Sequence, residues 1–146
     1  MVVWTQLAAG ACWFVYACFF EWTLHRHFMH RPRVPLQDAF RGHMEHHKTF
    51  RGEEFQTHED GLAHGVALRW YAFPLIILGH LPFFLAFQAL TGLPTVWGAV
   101  GACVLYFAGY EYTHYLMHVP RGHFVERFGW FRFIREHHRL HHQHMR

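Results

Sequence analysis

Three long stretches of this chain carry no charge. Residues 2–20 have only Thr5 and Gln6 as clearly polar groups, residues 70–90 are interrupted by His80 and Gln88, and residues 93–110 are again uncharged. Each has roughly the 20 residues that cross a bilayer as a helix. Lysine and arginine are missing from residues 1–25 and 70–120, so all 13 fall in two segments, Arg26 to Arg69 and Arg121 to Arg146. A soluble domain of 146 residues would need a large polar shell over three such helices, and the remaining residues cannot supply one. The first stretch also lacks the basic n-region of a cleaved signal peptide and runs straight into histidines, so it is expected to be a span. Three spans put both basic segments on one side, which the positive-inside rule makes the cytoplasm.

Other absences narrow the function. The three cysteines, Cys12, Cys18 and Cys103, all sit in apolar runs, with no CxxC pair and no disulfide framework. There is no GxGxxG, no P-loop and no Ser/His/Asp arrangement, which argues against a nucleotide cofactor fold and against a side-chain nucleophile. No basic stripe interleaves with exposed aromatics on a soluble scaffold. The basic balance therefore points to topology and anionic headgroups, with no nucleic acid as partner.

Between the apolar runs the patterning is clear. "RPRVP" at 31–35 is an extended connector, because proline disfavours helix in itself and in the residue before it. Residues 36–50 look helical, and 51–61 form a polar loop. "TGLP" predicts a tight hairpin, with Gly92 at a helix C′ position and Pro94 in the first turn of the next helix. Gly98, Gly101, Ala102 and Gly109 would let helices approach closely. From residue 123 to 136, Phe124, Phe128, Phe131 and Ile134 fall near one face with arginines between. That fits either a short amphipathic helix in the membrane interface or a core-facing one.

What the chain has in excess is histidine, 17 in all. "HRHFMH" holds His25 and His30 with His27 between, "HMEHHK" holds His43, His46 and His47, "HYLMH" holds His114 and His118, and "HHRLHH" holds His137, His138, His141 and His142. Residues i, i+3 and i+4 share a helix face, so His43, His46 and His47 converge, as do His138, His141 and His142, and His114 with His118. His25 and His30 are five apart, off-face on a regular helix. They reach different metals, or they sit where the first span ends and the backbone loosens. Neutral imidazole suits iron, zinc, copper and nickel. Ten imidazoles exceed what one ion takes, and two ions with five each fit. Glu45, Glu111, Glu136, Tyr112, Tyr115, His27 and His137 are candidates to orient the ligands from outside. His80 is expected to be structural, His58, His64 and His123 solvated, and His144 surplus. The acidic residues do not form the Glu-x-x-His repeat of bundle di-iron carboxylate proteins.

The expected architecture is all-α. It is a single membrane domain over residues 1–146 with about three transmembrane helices and a cytoplasmic helical cap carrying a histidine-rich dimetal site.

The boxes "HRHFMH", "HMEHHK", "THYLMH" and "EHHRLHH", in that order, resemble the membrane fatty acid hydroxylase/sterol desaturase superfamily, whose pattern is HxxxxH, HxxHH, HxxxH and HHxxHH. The likeness runs from the end of the first span to the terminus. The three residues between His114 and His118 are closer to the fatty acid hydroxylase branch than to β-carotene hydroxylases, which usually show HxxxxH there. The resemblance implies two iron ions, replaceable by inert zinc, that use O2 to hydroxylate an unactivated C–H bond of a lipid. Electrons would come from a separate ferredoxin or cytochrome b5-type donor. Carry-over by position implies one ion on His30, His43, His46, His138 and His141, and the second on His25, His47, His114, His118 and His142, with His137 outside both. It also implies an apolar, aromatic segment after the last box, so a C-terminally truncated chain is one expectation. Phenylalanines of the second span and of 124–134 are expected to line the substrate path. The alternatives are a carotenoid or sterol hydroxylase or desaturase on the same site, and a non-catalytic membrane metal-binding or transport protein. A transporter would place its ligands near the bilayer midplane, where only His80 is expected.

Overall fold

The computed structural model describes residues 2–59 and 64–144, and these contain helices and no strand. The chain order is α1 (Val2–Leu24), a π-helical turn (His25–Met29), α2 (Gln37–Thr49), a 3₁₀ turn (Gly52–Phe55), α3 (Ala72–Thr91), α4 (Val96–His118), a second 3₁₀ turn (Phe124–Arg127) and α5 (Gly129–His144). The expected polar loop at 51–61 contains the first 3₁₀ turn; its last two residues lie outside the described ones. The chain falls into two compact units, Met1–Trp22 with Arg69–Tyr110, and Thr23–Leu68 with Glu111–Arg146.

Two helices are long and apolar enough to cross a membrane, Val2–Met29 (28 residues) and Ala72–Thr91 (20 residues). Their apolar side chains are mostly bare, with Trp4 74% and Leu90 87% exposed. The third expected span does form a helix, α4. Its three glycines, its tyrosines and the Glu111, His114 and His118 of its last turns leave it less apolar than the other two.

The first unit is built on α1, α3 and α4. Phe84, Val96, Ala99 and Cys103 form its buried core, with Trp13 edge-on to Phe84 at 4.6 Å. Gly92 takes the left-handed conformation at the end of α3 (φ 67°), and its N–H donates to the Gln88 carbonyl at 2.9 Å. The Gln88 side-chain oxygen accepts the N–H groups of Thr95 and Val96, so one side chain closes the hairpin. Pro94 stands before the first turn of α4 rather than in it, because the helix begins at Val96. His80 is satisfied on both nitrogens: Nδ1–H donates to the Ile76 carbonyl at 2.7 Å, and Nε2 accepts the Tyr16 hydroxyl at 3.1 Å.

Of the small residues on α4, Gly98 makes the close approach. Its N–H donates to the Gln6 side-chain oxygen at 2.6 Å, and a Cβ there would stand 2.1 Å from the Gln6 backbone carbonyl, while Gly101 faces open space. Gly98→Ala is therefore expected to lower stability by about 1–3 kcal/mol, the usual cost of overpacking. Gly101→Ala should leave it nearly unchanged, as read from thermal unfolding of the two variants in detergent.

The second unit has two small cores. Phe55, Leu116, Met117 and Phe131 form one, and Phe50, Val66 and Val119 the other, with Tyr115 packed against both. The amphipathic stretch is two elements and not one. Phe128 adopts an extended conformation (ψ 141°) between the second 3₁₀ turn and α5. This break sends Phe131 and Ile134 inward and leaves Phe124 and Phe128 exposed.

Candidate metal centre

Ten of the twelve box histidines, all in the second unit, gather their ring nitrogens into two groups of five. His25, His30, His43, His47 and His141 form one. His46, His114, His118, His138 and His142 form the other. Within each group the nitrogen atoms lie within 4.8 Å of one another. The second, more buried group could bind a metal ion.

This split corrects the partition implied by position. His46 and His138 join the second group, and His25 and His47 the first. The physical reason is helical pitch. Residues i and i+4 are about 40° apart around a helix, and i and i+3 about 60°, on opposite sides of the starting residue. On α2 the pair His43/His47 stays together and His46 points to the other group. On α5 the pair His138/His142 stays together and His141 points away. Each of these helices thus serves both groups. The remaining donors come from the start of the π turn and the residue that follows it, His25 and His30, for the first group and from His114/His118 on α4 for the second. At the boundary the rings of His47 and His142 stack at 4.0 Å.

The π-helical turn explains the five-residue spacing of the first box. Its wider i→i+5 turn carries His25 and His30 to the same side, with Nε2 atoms 3.1 Å apart. His25, His30 and His141 form a triangle of Nε2 atoms with edges of 3.1, 3.0 and 3.1 Å. His30 Nε2 is also 3.1 Å from His43 Nε2, which is 3.0 Å from His47 Nε2. One imidazole nitrogen has a single in-plane lone pair or proton, so His30 cannot hydrogen-bond to three neighbours at once. Imidazole donors about 2.1 Å from one ion and at right angles to each other stand about 3.0 Å apart, against roughly 3.4 Å for a tetrahedral set. The observed edges match the right-angled arrangement.

In the second group the tautomers follow from the neighbours. His118 Nδ1–H donates to the Phe55 carbonyl at 2.8 Å, His142 Nδ1–H to the Phe50 carbonyl at 2.7 Å, and His46 Nδ1–H to the Gly65 carbonyl at 3.4 Å. A carbonyl only accepts, so each of these rings has its lone pair on Nε2. The His118 and His138 Nε2 atoms are 3.0 Å apart. The Nε2 atoms of His46 and His142 are buried with no hydrogen-bond partner. A buried acceptor without a partner is costly, and a cation at the focus of the group would satisfy it. The orphaned nitrogens, the all-imidazole donor set and its spacing therefore fit a metal ion in this buried group. Backbone carbonyls that orient ligating imidazoles are a common supporting shell.

Burial first, and then the His141 and His25 rings, lower the pKa of His30 to about 4. Burial and His118 bring His46 to about 3, against the opposing effect of its bond to Gly65. Burial and His46 bring His142 to about 3. His43 and His138 are pushed well below the ordinary range by burial and by neighbouring imidazoles. These five imidazoles are thus neutral and ready to ligate at physiological pH. In the metal-free protein the folded state holds fewer protons than the unfolded chain below an ordinary histidine pKa of about 6.5. Stability is then expected to fall as pH drops from about 6.5 towards 4. A thermal midpoint that stays level across that window in the metal-free protein would contradict this.

The supporting residues expected from the sequence are placed unevenly. Glu111 is half-buried; its Oε2 accepts the Leu68 N–H at 2.9 Å, and its Oε1 is buried without a partner. Tyr115 packs on both cores. His27 is half-buried in the π turn, and Glu45 is exposed on α2. His137 is exposed and parallel to the Phe133 ring at 6.4 Å. Glu136 pairs with Arg139 at 2.8 Å, and the Tyr112 hydroxyl is bonded to His123 Nδ1 at 2.7 Å. His58, His64 and His144 are exposed. Phe50 and Phe55 were not expected: their carbonyls orient His142 and His118, and their rings lie 4.5 and 4.6 Å from the His118 ring. Backbone acceptors leave no residue-type signal in the sequence.

No family model, curated protein or solved structure matches this chain.

Proposed function

We propose that this chain is a membrane di-iron oxygenase of the fatty acid hydroxylase/sterol desaturase type, which hydroxylates an unactivated C–H bond of a lipid. The observation that carries the reading is the pair of five-imidazole groups with converging Nε2 atoms. When bound, two redox-active iron ions supply the O2 activation that no side chain can. His25, His30, His43, His47 and His141 would hold one ion, and His46, His114, His118, His138 and His142 the other.

The chain's own residues hold, orient and shield. The carbonyls of Phe50, Phe55 and Gly65 fix three imidazoles in the tautomer that presents Nε2. Phe50 and Phe55, buried against the imidazoles of the second group, keep water from it. O2 accepts four electrons and the C–H bond yields two in becoming C–OH, so two more must come from outside. With no flavin or nicotinamide fingerprint in the chain, a separate ferredoxin or cytochrome b5-type protein is the donor. α1, α3 and α4 cross the bilayer, and the basic, histidine-bearing segments face the cytoplasm, as the placement of Lys and Arg supports. The substrate is fatty acyl or a related lipid, reached from the bilayer.

Lipid profiles of cells expressing the parent and a His46→Ala/His141→Ala variant test this. A hydroxylated lipid present with the parent and missing with the variant is expected. Identical profiles with an intact electron donor would count against catalysis. A non-catalytic metal-binding protein is the rival from another class. It would hold its metal equally well and leave the lipids unchanged.

A further inference from the structure

We propose that α5 and the turn before it form a membrane-surface contact that rests on anionic headgroups and inserts aromatic side chains between them. The inference rests on the membrane reading above and concerns a face that the metal groups do not use.

α5 has two apolar stripes. At about 100° per residue, Phe131, Ile134, His138 and His142 fall on one side, and there they are buried or half-buried. Trp130, Phe133, His137 and Leu140 fall in an arc of about 80° on another side, and there they are all exposed. Phe133 is 72% exposed. The preceding turn extends this bare stripe: Phe124 is 66% exposed, its ring 5.1 Å from that of Phe128, which in turn stacks with Trp130 at 6.4 Å. A contiguous run of large exposed aromatics marks a contact surface.

The composition selects the occupant. From Phe124 to Arg139 there are four arginines and two glutamates. Both glutamates are already engaged, Glu126 with the N–H groups of Arg121 and His123, and Glu136 with Arg139. Arg127 and Arg132 are exposed beside the aromatics. A second copy of this face would bring like charges together. Amphipathic aromatic side chains flanked by arginine suit the headgroup region of an anionic bilayer, and the chain carries two helices apolar enough to lie in one.

The test uses the full chain in vesicles with and without about one-fifth anionic lipid. Cys12, Cys18 and Cys103 are replaced, and single spin labels are placed at Phe124→Cys, Phe133→Cys, Arg132→Cys and Leu78→Cys. Labels at 124 and 133 are expected to meet oxygen more often than a water-soluble nickel chelate, and more so with anionic lipid, whereas a label at 132 should favour the chelate. Leu78, exposed on α3, reports the membrane reading separately. A lipid-buried label at 78 with aqueous labels at 124 and 133 would overturn this proposal and leave that reading standing. Labels at 124 and 133 shielded from both reagents would mean that a protein surface covers the face, which also overturns it.

Discussion

A His46→Ala variant, prepared without oxygen and loaded with iron, is expected to hold one ion per chain where the parent holds two. His46 is the only donor that α2 gives to the second group, while His43 and His47 remain for the first. Loss of an outer partner alone weakens metal binding about 10–100-fold, so loss of a ligand should exceed roughly 100-fold. His43→Ala is the mirror experiment and should empty the first group. The two variants should differ in which iron signal disappears, since one group is more buried than the other. A His46→Ala protein that keeps both ions, with unchanged circular dichroism, would break the assignment.

The second large effect lies beneath the site. Phe131 is fully buried against Phe55, Leu116 and Met117, at the base of the helix that carries His138, His141 and His142. Phe131→Ala should cost about 3–5 kcal/mol, as for other buried phenylalanines. Metal content should fall with it, because α5 would lose its seat. Phe133, two residues on, points out of the core, and Phe133→Ala should change stability by no more than about 0.5 kcal/mol in detergent. Equal losses in the two variants would show that the buried stripe of α5 had been wrongly identified.

The ten clustered histidines were legible because helical spacing puts recurring imidazoles on common faces. Their division between two groups was not, since i+3 and i+4 neighbours both share a face with residue i. Which of them stays with i depends on how the helix is rotated in its packing, and only the fold fixes that for His46 and His141. The spacing of His25 and His30 raised the right difficulty, and the π turn resolves it by local backbone widening. Gly92 was readable from turn chemistry, and Pro94 missed its expected position by the short lead-in before Val96. The break at Phe128 was invisible because the hydrophobic period runs through it. Gly98 could be picked out as small, but its role comes from the Gln6 backbone on another helix. The supporting carbonyls of Phe50, Phe55 and Gly65 belong to the backbone, which no side-chain pattern reports.

The most direct test of the oxygenase reading is a single turnover with oxygen-18. The full chain is loaded with ferrous iron in vesicles of mixed lipid, reduced chemically, and exposed to labelled O2. The account predicts one labelled oxygen atom in a new lipid hydroxyl group, lost in the His46→Ala/His141→Ala variant. Oxidation of both irons with no label in any lipid, across fatty acyl, sterol and carotenoid substrates, would contradict it.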